Sequence, residues 1–235
     1  MPTSYLAEEK AAPDGLSSRR NVEPIEFRQL RHQTKNALQR ILIHVLEAPG
    51  VSENLENQRL AHEVARRIEL AAAISDALFG FTRSLEPLFV RLQSLAESVI
   101  ALYTDTTQII RLDVTAMDGW SPEREETILR IAHELVGNAV KHGMHMRLLG
   151  RISVWLFREA GGSTVLSVAN DGWQMENPTR FGEGFELVEE LARAEGGIVK
   201  VMTYPQTVVE VRLPDGKIRP PERSRVARTE IEIEP

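Results

Sequence analysis

At 235 residues the chain is long enough for one large domain or two small ones, and 42% hydrophobic with 26% charged residues is the balance of an ordinary globular protein. The absence of cysteine excludes disulfides and thiolate metal sites, and the net charge of -6 argues against a general nucleic-acid binder. No apolar run approaches the ~20 residues that span a bilayer, and Met1 to Asn21 lacks the apolar core of a signal peptide, so a cytoplasmic protein without a membrane span is expected.

Residues 1–23 are polar, carry Pro13-Asp14-Gly15 and Ser17-Ser18-Arg19-Arg20, and read as a disordered leader. Pro24 suits a first helical turn, where its missing N–H costs nothing. From there Phe27, Leu30, Thr34, Leu38, Ile41 and Val45 recur every three or four residues and mark one apolar stripe. Ala48-Pro49-Gly50 ends that helix. Ser52 is the expected cap of a second helix, with Leu55, Leu60, Val64, Ile68, Ala72, Leu78 and Phe79 as its apolar residues. A short link between two long helices makes an antiparallel hairpin. Two helices alone cannot bury faces of this width. Self-association into a dimeric four-helix bundle is one solution, and packing against the C-terminal half of the chain is the other.

Past Gly80 the pattern becomes mixed. Leu88 to Tyr103 reads as a helix, Ile109 to Val114 as a strand, and Pro122 to Lys141 as one long helix capped by Ser121. Arg151 to Phe157 turns Ile152, Val154 and Leu156 inward against Arg151 and Ser153, and Ala160-Gly161-Gly162 leads into a paired strand from Thr164 to Ala169. Phe185 to Ala194 is a helix stopped by Gly196-Gly197, and Ile198 to Tyr204 pairs with Thr207 to Leu213. Helices on one face of a mostly antiparallel sheet make this half α+β. Lys217 to Pro235 has no apolar periodicity and reads as a flexible tail, and no internal repeat is present.

Two motifs carry chemistry. The first is His32-Gln33-Thr34-Lys35-Asn36-Ala37-Leu38-Gln39. On a helical wheel His32 lies about 150° from the apolar stripe, with Arg28 and Lys35 on its own face. An imidazole nucleophile needs exposure, a neutral nitrogen and nearby cations to steady phosphoryl oxygens, and His32 has the setting for all three. An exposed helical histidine means nothing by itself, and His44 and His62 receive no role. The second motif, His133-Glu134-Leu135-Val136-Gly137-Asn138-Ala139-Val140-Lys141-His142-Gly143, sets Glu134, Asn138 and Lys141 at i, i+4 and i+7 on one helix face. A carboxylate, an amide oxygen and a lysine suit a magnesium nucleotide, since Mg²⁺ takes oxygen ligands and is completed by phosphates and water. Spacing alone fits an ordinary amphipathic helix equally well, with Ile131, Leu135 and Val140 as its core.

The run around His32 resembles the H-R-V-K-N-N-L-Q phosphoacceptor signature of the subgroup-2 (HWE-related) sensor histidine kinases, and Arg66-Arg67-Ile68-Glu69 through Ala77-Leu78-Phe79-Gly80 is similar to that family's second hairpin helix. The second motif resembles the N box of GHKL-type ATPases in its subgroup-2 form, H-E-L-x-x-N-A-x-K-x-G, and Gly182-Glu183-Gly184-Phe185 resembles the G-x-G-L box. The likeness runs from about Phe27 to Leu213, through Ala192 to Gly197. It implies four segments: the leader at 1–23, a dimerisation and phosphoacceptor hairpin at 24–83, a GHKL-type ATP-binding catalytic domain of α/β sandwich form at 84–215, and the tail at 216–235. It further implies that His32 accepts the phosphoryl group, supported by Lys35, Asn36 and Gln39. Asn138 would hold Mg²⁺, while Glu134, Lys141 and His142 contact the nucleotide and Gly182 and Gly184 its phosphates.

The sequence departs from the family at the base-binding box D-x-G-x-G, which falls on Asn170-Asp171-Gly172-Trp173-Gln174. Counting back from Gly172 puts Asn170 at the aspartate position, and Gln174 replaces the second glycine. Asn170 and Gly172 are the base-contacting residues on this alignment. Shifting the frame to Asp171 would put the carboxylate on the other face of the strand end. An asparagine oxygen can accept one hydrogen bond from the adenine amine, without a carboxylate's charge. The Trp-x-Glu of strict HWE kinases would fall at Val168 and Asn170 and is absent, which places the chain in the broader subgroup.

The expected function is a soluble dimeric histidine kinase that phosphorylates His32 from Mg-ATP and passes the group to a response-regulator aspartate. With no recognisable sensor of its own, it would take its input from a separate sensor or upstream signalling protein, or through its leader. Two alternatives stay open. One is a histidine phosphotransfer protein with a degenerate ATP-binding domain, which Asn170 and Gln174 favour. The other is an anti-sigma-type serine kinase, which the His32 hairpin disfavours.

Overall fold

The computed structural model describes residues 25–79, 86–105, 107–173, 183–215 and 230–232, with backbone alone for 25–28, 30–32 and 230–232. The expected leader, residues 80–85 and most of the expected tail lie outside these residues.

Two helices, α1 (Ile25–Leu46) and α2 (Leu55–Phe79), form the expected hairpin. The cap of α2 is Asn54, not Ser52: the Glu56 N–H donates to Asn54 Oδ1 at 2.8 Å. Asn54 stands directly before the first helical residue, which is where a side-chain oxygen reaches the second N–H of the helix. The apolar stripe is only partly covered. Through α2 the hairpin packs on the rest of the chain: Ala61, Ala65 and Ile74 are buried, and Ile74 joins the core of the following domain. Ile41, Ile43, Leu46, Leu55 and Leu60 stay exposed, Leu55 and Leu60 by 74% and 64%. Packing within the chain therefore uses one face of α2 and leaves the apolar residues near the hairpin turn uncovered.

The α/β half follows as α3 (Leu88–Tyr103), β1 (Ile109–Ala116), α4 (Pro122–Asn138), β2 (Leu149–Arg158), β3 (Thr164–Asn170), α5 (Glu183–Ala194), β4 (Ile198–Met202) and β5 (Thr207–Leu213). Ser121 caps α4 as expected, its Oγ accepting from the Arg124 N–H at 3.3 Å, with Pro122 in the first turn. The sheet order is β1-β2-β3-β5-β4, ending on a short edge strand β6 (Glu230–Glu232). The β1–β2 pair is parallel, and α4 supplies the crossover that a parallel pair requires. The β2–β3, β3–β5 and β4–β5 pairs are antiparallel. Strand β6 pairs in parallel with β4, so these three residues of the expected flexible tail adopt regular structure.

The core lies between the sheet and the helices. Leu92, Leu95 and Val99 of α3, Ile128, Ile131 and Leu135 of α4, and Val188 of α5 meet Ile152, Val154, Leu156, Leu166 and Val211 from the strands. Ser153, expected to face solvent, is buried; in register it sits between Asp113 of β1 and Ala169 of β3. The fold class is thus a helical hairpin followed by an α/β sandwich, α+β overall. Two polar contacts add to the packing of α2 on the α/β half. Arg66 Nη1 donates to the Ala101 carbonyl at 3.2 Å, and the Arg130 guanidinium lies 5.2 Å over the Phe79 ring.

Truncating Leu92, which is 0% exposed, removes core contacts that the surroundings cannot refill. Leu92→Ala is expected to lower unfolding free energy by about 2–5 kcal/mol at unchanged m-value in urea. Val90→Ala, on the exposed face of α3, should stay within about 0.5 kcal/mol.

Candidate nucleotide site

The long helix expected to run from Pro122 to Lys141 changes character at Asn138. Ala139–Gly143 form a single π-turn, in which the Met144 N–H reaches the Ala139 carbonyl at 3.1 Å. Such wide turns cluster at functional sites, because one extra residue in the turn redirects every side chain that follows. Here the turn carries Gly143 against the end of β3. The Trp173 N–H donates to the Gly143 carbonyl at 2.9 Å, and the Gly172 N–H donates to Asn170 Oδ1 at 3.1 Å. Neither glycine has room for a side chain. A Cβ on Gly143 would collide with the Asn170 amide, and one on Gly172 with the Gly143 backbone.

Across the cleft, Glu134 and Asn138 face the start of α5. A Cβ on Gly184 would strike the Glu134 carboxylate and come within 4.0 Å of Asn138 Oδ1. His133 Nδ1 lies 2.9 Å from Glu134 Oε1 and orients that carboxylate. Glu134 and Asn138 share one helix face, as their spacing suggests, and Gly184 lies against both. Lys141 does not join them: its ammonium sits 4.3 Å from the centroid of the Tyr103 ring on α3. The π-turn is the cause, since Lys141 lies beyond the point where straight-helix spacing holds. His142 is exposed beside it.

Asn170 is 5% exposed, and Asp171 points elsewhere. Asp171 Oδ1 accepts from the Arg151 N–H at 2.8 Å, and the Asp171 N–H donates to the Arg151 carbonyl at 3.2 Å. Asp171 is thus tied to the β2 backbone, while Asn170 is buried beside Gly143 and Gly172. Gly182 and Gln174 lie outside the described residues.

Three participants escaped sequence reasoning. Thr207 stands opposite Asn170 in the β3–β5 register, and its buried Oγ1 has no hydrogen-bond partner. Tyr103 holds Lys141. Trp173, 63% exposed at the rim, donates from its indole to the His145 carbonyl at 2.9 Å. Only the glycine closing the second motif hinted at any of this.

On the hairpin, Lys35 Nζ is paired with Asp76 Oδ2 at 2.9 Å, both side chains being at least half exposed, and Asn36 and Gln39 are exposed. A pair this open to water is weak and leaves Lys35 available. Lys35 faces Asp76, so His32 belongs to the Phe79 end of the hairpin, which meets α4 at Arg130, about two turns before Asn138.

The donor set fits a magnesium nucleotide better than a resident metal. Among the described residues no group of three or more His, Cys, Asp or Glu could hold a metal ion. A hard cation beside the Asn138 amide oxygen and the Glu134 carboxylate would need phosphates and water to fill its shell. The Thr207 hydroxyl, without a partner among the described residues, can take a hydrogen bond from a polar ligand.

No protein-family model and no curated protein matches the chain. Among solved structures, the fold is similar to the histidine kinase domain of the Erythrobacter litoralis EL346 blue-light activated histidine kinase. The TM-score is 0.53 at 16% identity, covering 79% of this chain and 94% of that one. A longer chain of the same blue-light activated kinase gives a TM-score of 0.51 at 17% identity over 80% of this chain, which spans 60% of it. At such identities the likeness is one of fold: a helical hairpin followed by the same kind of α/β layer.

Gly172→Ala should cost about 1–3 kcal/mol and lower the melting temperature by several degrees, because the obstructing atoms are backbone. Gly161→Ala, with open space around it, should leave the melt unchanged.

Proposed function

We propose that the chain is a histidine kinase of a two-component system, of the HWE-related subgroup, that phosphorylates His32 from Mg-ATP. The convergence of Glu134, Asn138 and Gly184 opposite Asn170 and Gly172, beside a helical hairpin bearing His32, is the observation that supports this reading. ATP supplies the phosphoryl group and Mg²⁺ offsets its charge. The residues of the chain do the rest. Asn138 offers the cation an oxygen, and the helix start at Gly184 lets phosphate approach. Glu134, held by His133, orients the reacting groups and is placed to take a proton from the imidazole. A His32 ring nitrogen bonds to the γ-phosphorus as the bond to the β,γ-bridging oxygen breaks and ADP departs. Lys141, moving from the Tyr103 ring, and His142 screen the phosphates. Lys35 and Asn36 support the phosphorylated face of α1.

On this reading His32 is presented to the cleft by a movement of the hairpin or from a second subunit. The exposed Ile41, Ile43, Leu46, Leu55 and Leu60 support a homodimer joined through a four-helix bundle. The phosphoryl group then passes to an aspartate of a response-regulator receiver domain, and input comes from a separate upstream signalling protein. The domain division at 24–83 and 84–215 belongs to this proposal.

Purified protein incubated with γ-labelled ATP and Mg²⁺ should acquire acid-labile, base-stable label, lost in both His32→Ala and Asn138→Ala. Label that survives in Asn138→Ala would sink the kinase reading. Label absent throughout, with receiver phosphate still exchanging onto His32, would instead indicate the relay function. Light scattering should give a mass near twice 26.4 kDa, and a clean monomer would exclude the dimer.

A further inference from the structure

Resting on the nucleotide reading above, we infer that Asn170 turns the base preference of this cleft away from adenine and toward 6-oxo purines. The orientation of its amide carries the inference. Asn170 Oδ1 accepts the Gly172 N–H at 3.1 Å, and a backbone donor requires an acceptor there, so the amide cannot be flipped. The same oxygen lies against the Gly143 Cα, closely enough that a Cβ would collide with it. Oδ1 is engaged by the Gly172 N–H and crowded by the Gly143 backbone. Nδ2 is thus the atom left for a ligand, with no hydrogen-bond partner among the described residues, in a side chain only 5% exposed.

An aspartate in this turn would behave differently. One carboxylate oxygen would take the Gly172 N–H and the other would accept from an exocyclic amine such as adenine N6. Asparagine sets an N–H₂ in that second place, donor against donor for adenine. Hypoxanthine and guanine carry a carbonyl oxygen at C6, which accepts from Nδ2. The ring nitrogen N1 also changes character, from acceptor in adenine to donor in a 6-oxo purine. The unpaired Thr207 hydroxyl, beside Asn170 on the same sheet face, can serve either. Thr207 is therefore neutral, and Asn170 is the residue that discriminates. ATP remains a ligand with its base poorly matched.

The test is calorimetric titration of the full chain with ATP, ITP and GTP in the presence of Mg²⁺, repeated on Asn170→Asp. Wild type should bind ITP about tenfold more tightly than ATP, the scale set by leaving a buried donor unmatched. Asn170→Asp should reverse that order, and GTP reports whether the pocket also admits a 2-amino group. Wild-type binding of ATP more tightly than ITP overturns the base assignment and leaves the nucleotide reading standing. The same follows if Asn170→Asp leaves the ratio unchanged. Binding of none of the three to either protein removes the nucleotide reading and this inference with it. The wild-type ratio needs no variant, so an Asn170→Asp protein that fails to fold leaves the decision intact.

Discussion

The close approach of two backbone segments, the π-turn ending at Gly143 and the bend at Asn170 to Trp173, is the constraint on which the cleft depends. The Trp173 N–H bond to the Gly143 carbonyl fastens them, and Gly143 and Gly172 permit it by carrying no side chain. Everything else in the site follows from that join. It buries Asn170 and fixes which of its amide atoms faces inward. It also brings the end of the α4 crossover against the sheet at β3, opposite Thr207 of β5. The join ties segments about thirty residues apart in sequence, so it forms only once β2 and β3 have paired.

The hairpin joins the α/β layer through the end of α2, where Ile74 enters the core and Ala77 and Leu78 pack against it, and through the Arg66 and Arg130 side chains. The guanidinium links are partly exposed and individually weak, so the apolar end of α2 carries most of the attachment. In the proposed reaction the acceptor on α1 must approach the cleft, and α1, which packs chiefly on α2, is the hairpin helix less tied to the α/β half.

The layout was largely legible because its signals are local. Helix α3 spans the residues its periodicity marks, Ser121 caps α4, and the strands fall where apolar alternation puts them. Local competition was harder to read. Ser52 and Asn54 are both good caps, and only the helix start decides between them. The π-turn was illegible, because Ala139 to Gly143 has no composition that distinguishes a wide turn from continued α-helix, and the position assumed for Lys141 failed with it. Thr207 depends on strand register across a long separation, which no short motif encodes. Asn170 was found by counting from Gly172, but the direction of its amide belongs to turn geometry. The apolar residues near the hairpin turn, Ile41 included, stay exposed among the described residues.

Trp173 has a practical meaning beyond its place at the rim. Its indole is anchored at the ring nitrogen and through its backbone N–H, yet stands 63% open to water where the cleft begins. Trp120 is 8% exposed and Trp155 36%. The protein therefore carries an optical gauge of its own: one fluorophore at the mouth that feels whatever enters, and another sunk in the core as an internal standard. Filling of the cleft can be followed in the unlabelled protein, by the colour and quenching of its tryptophan emission.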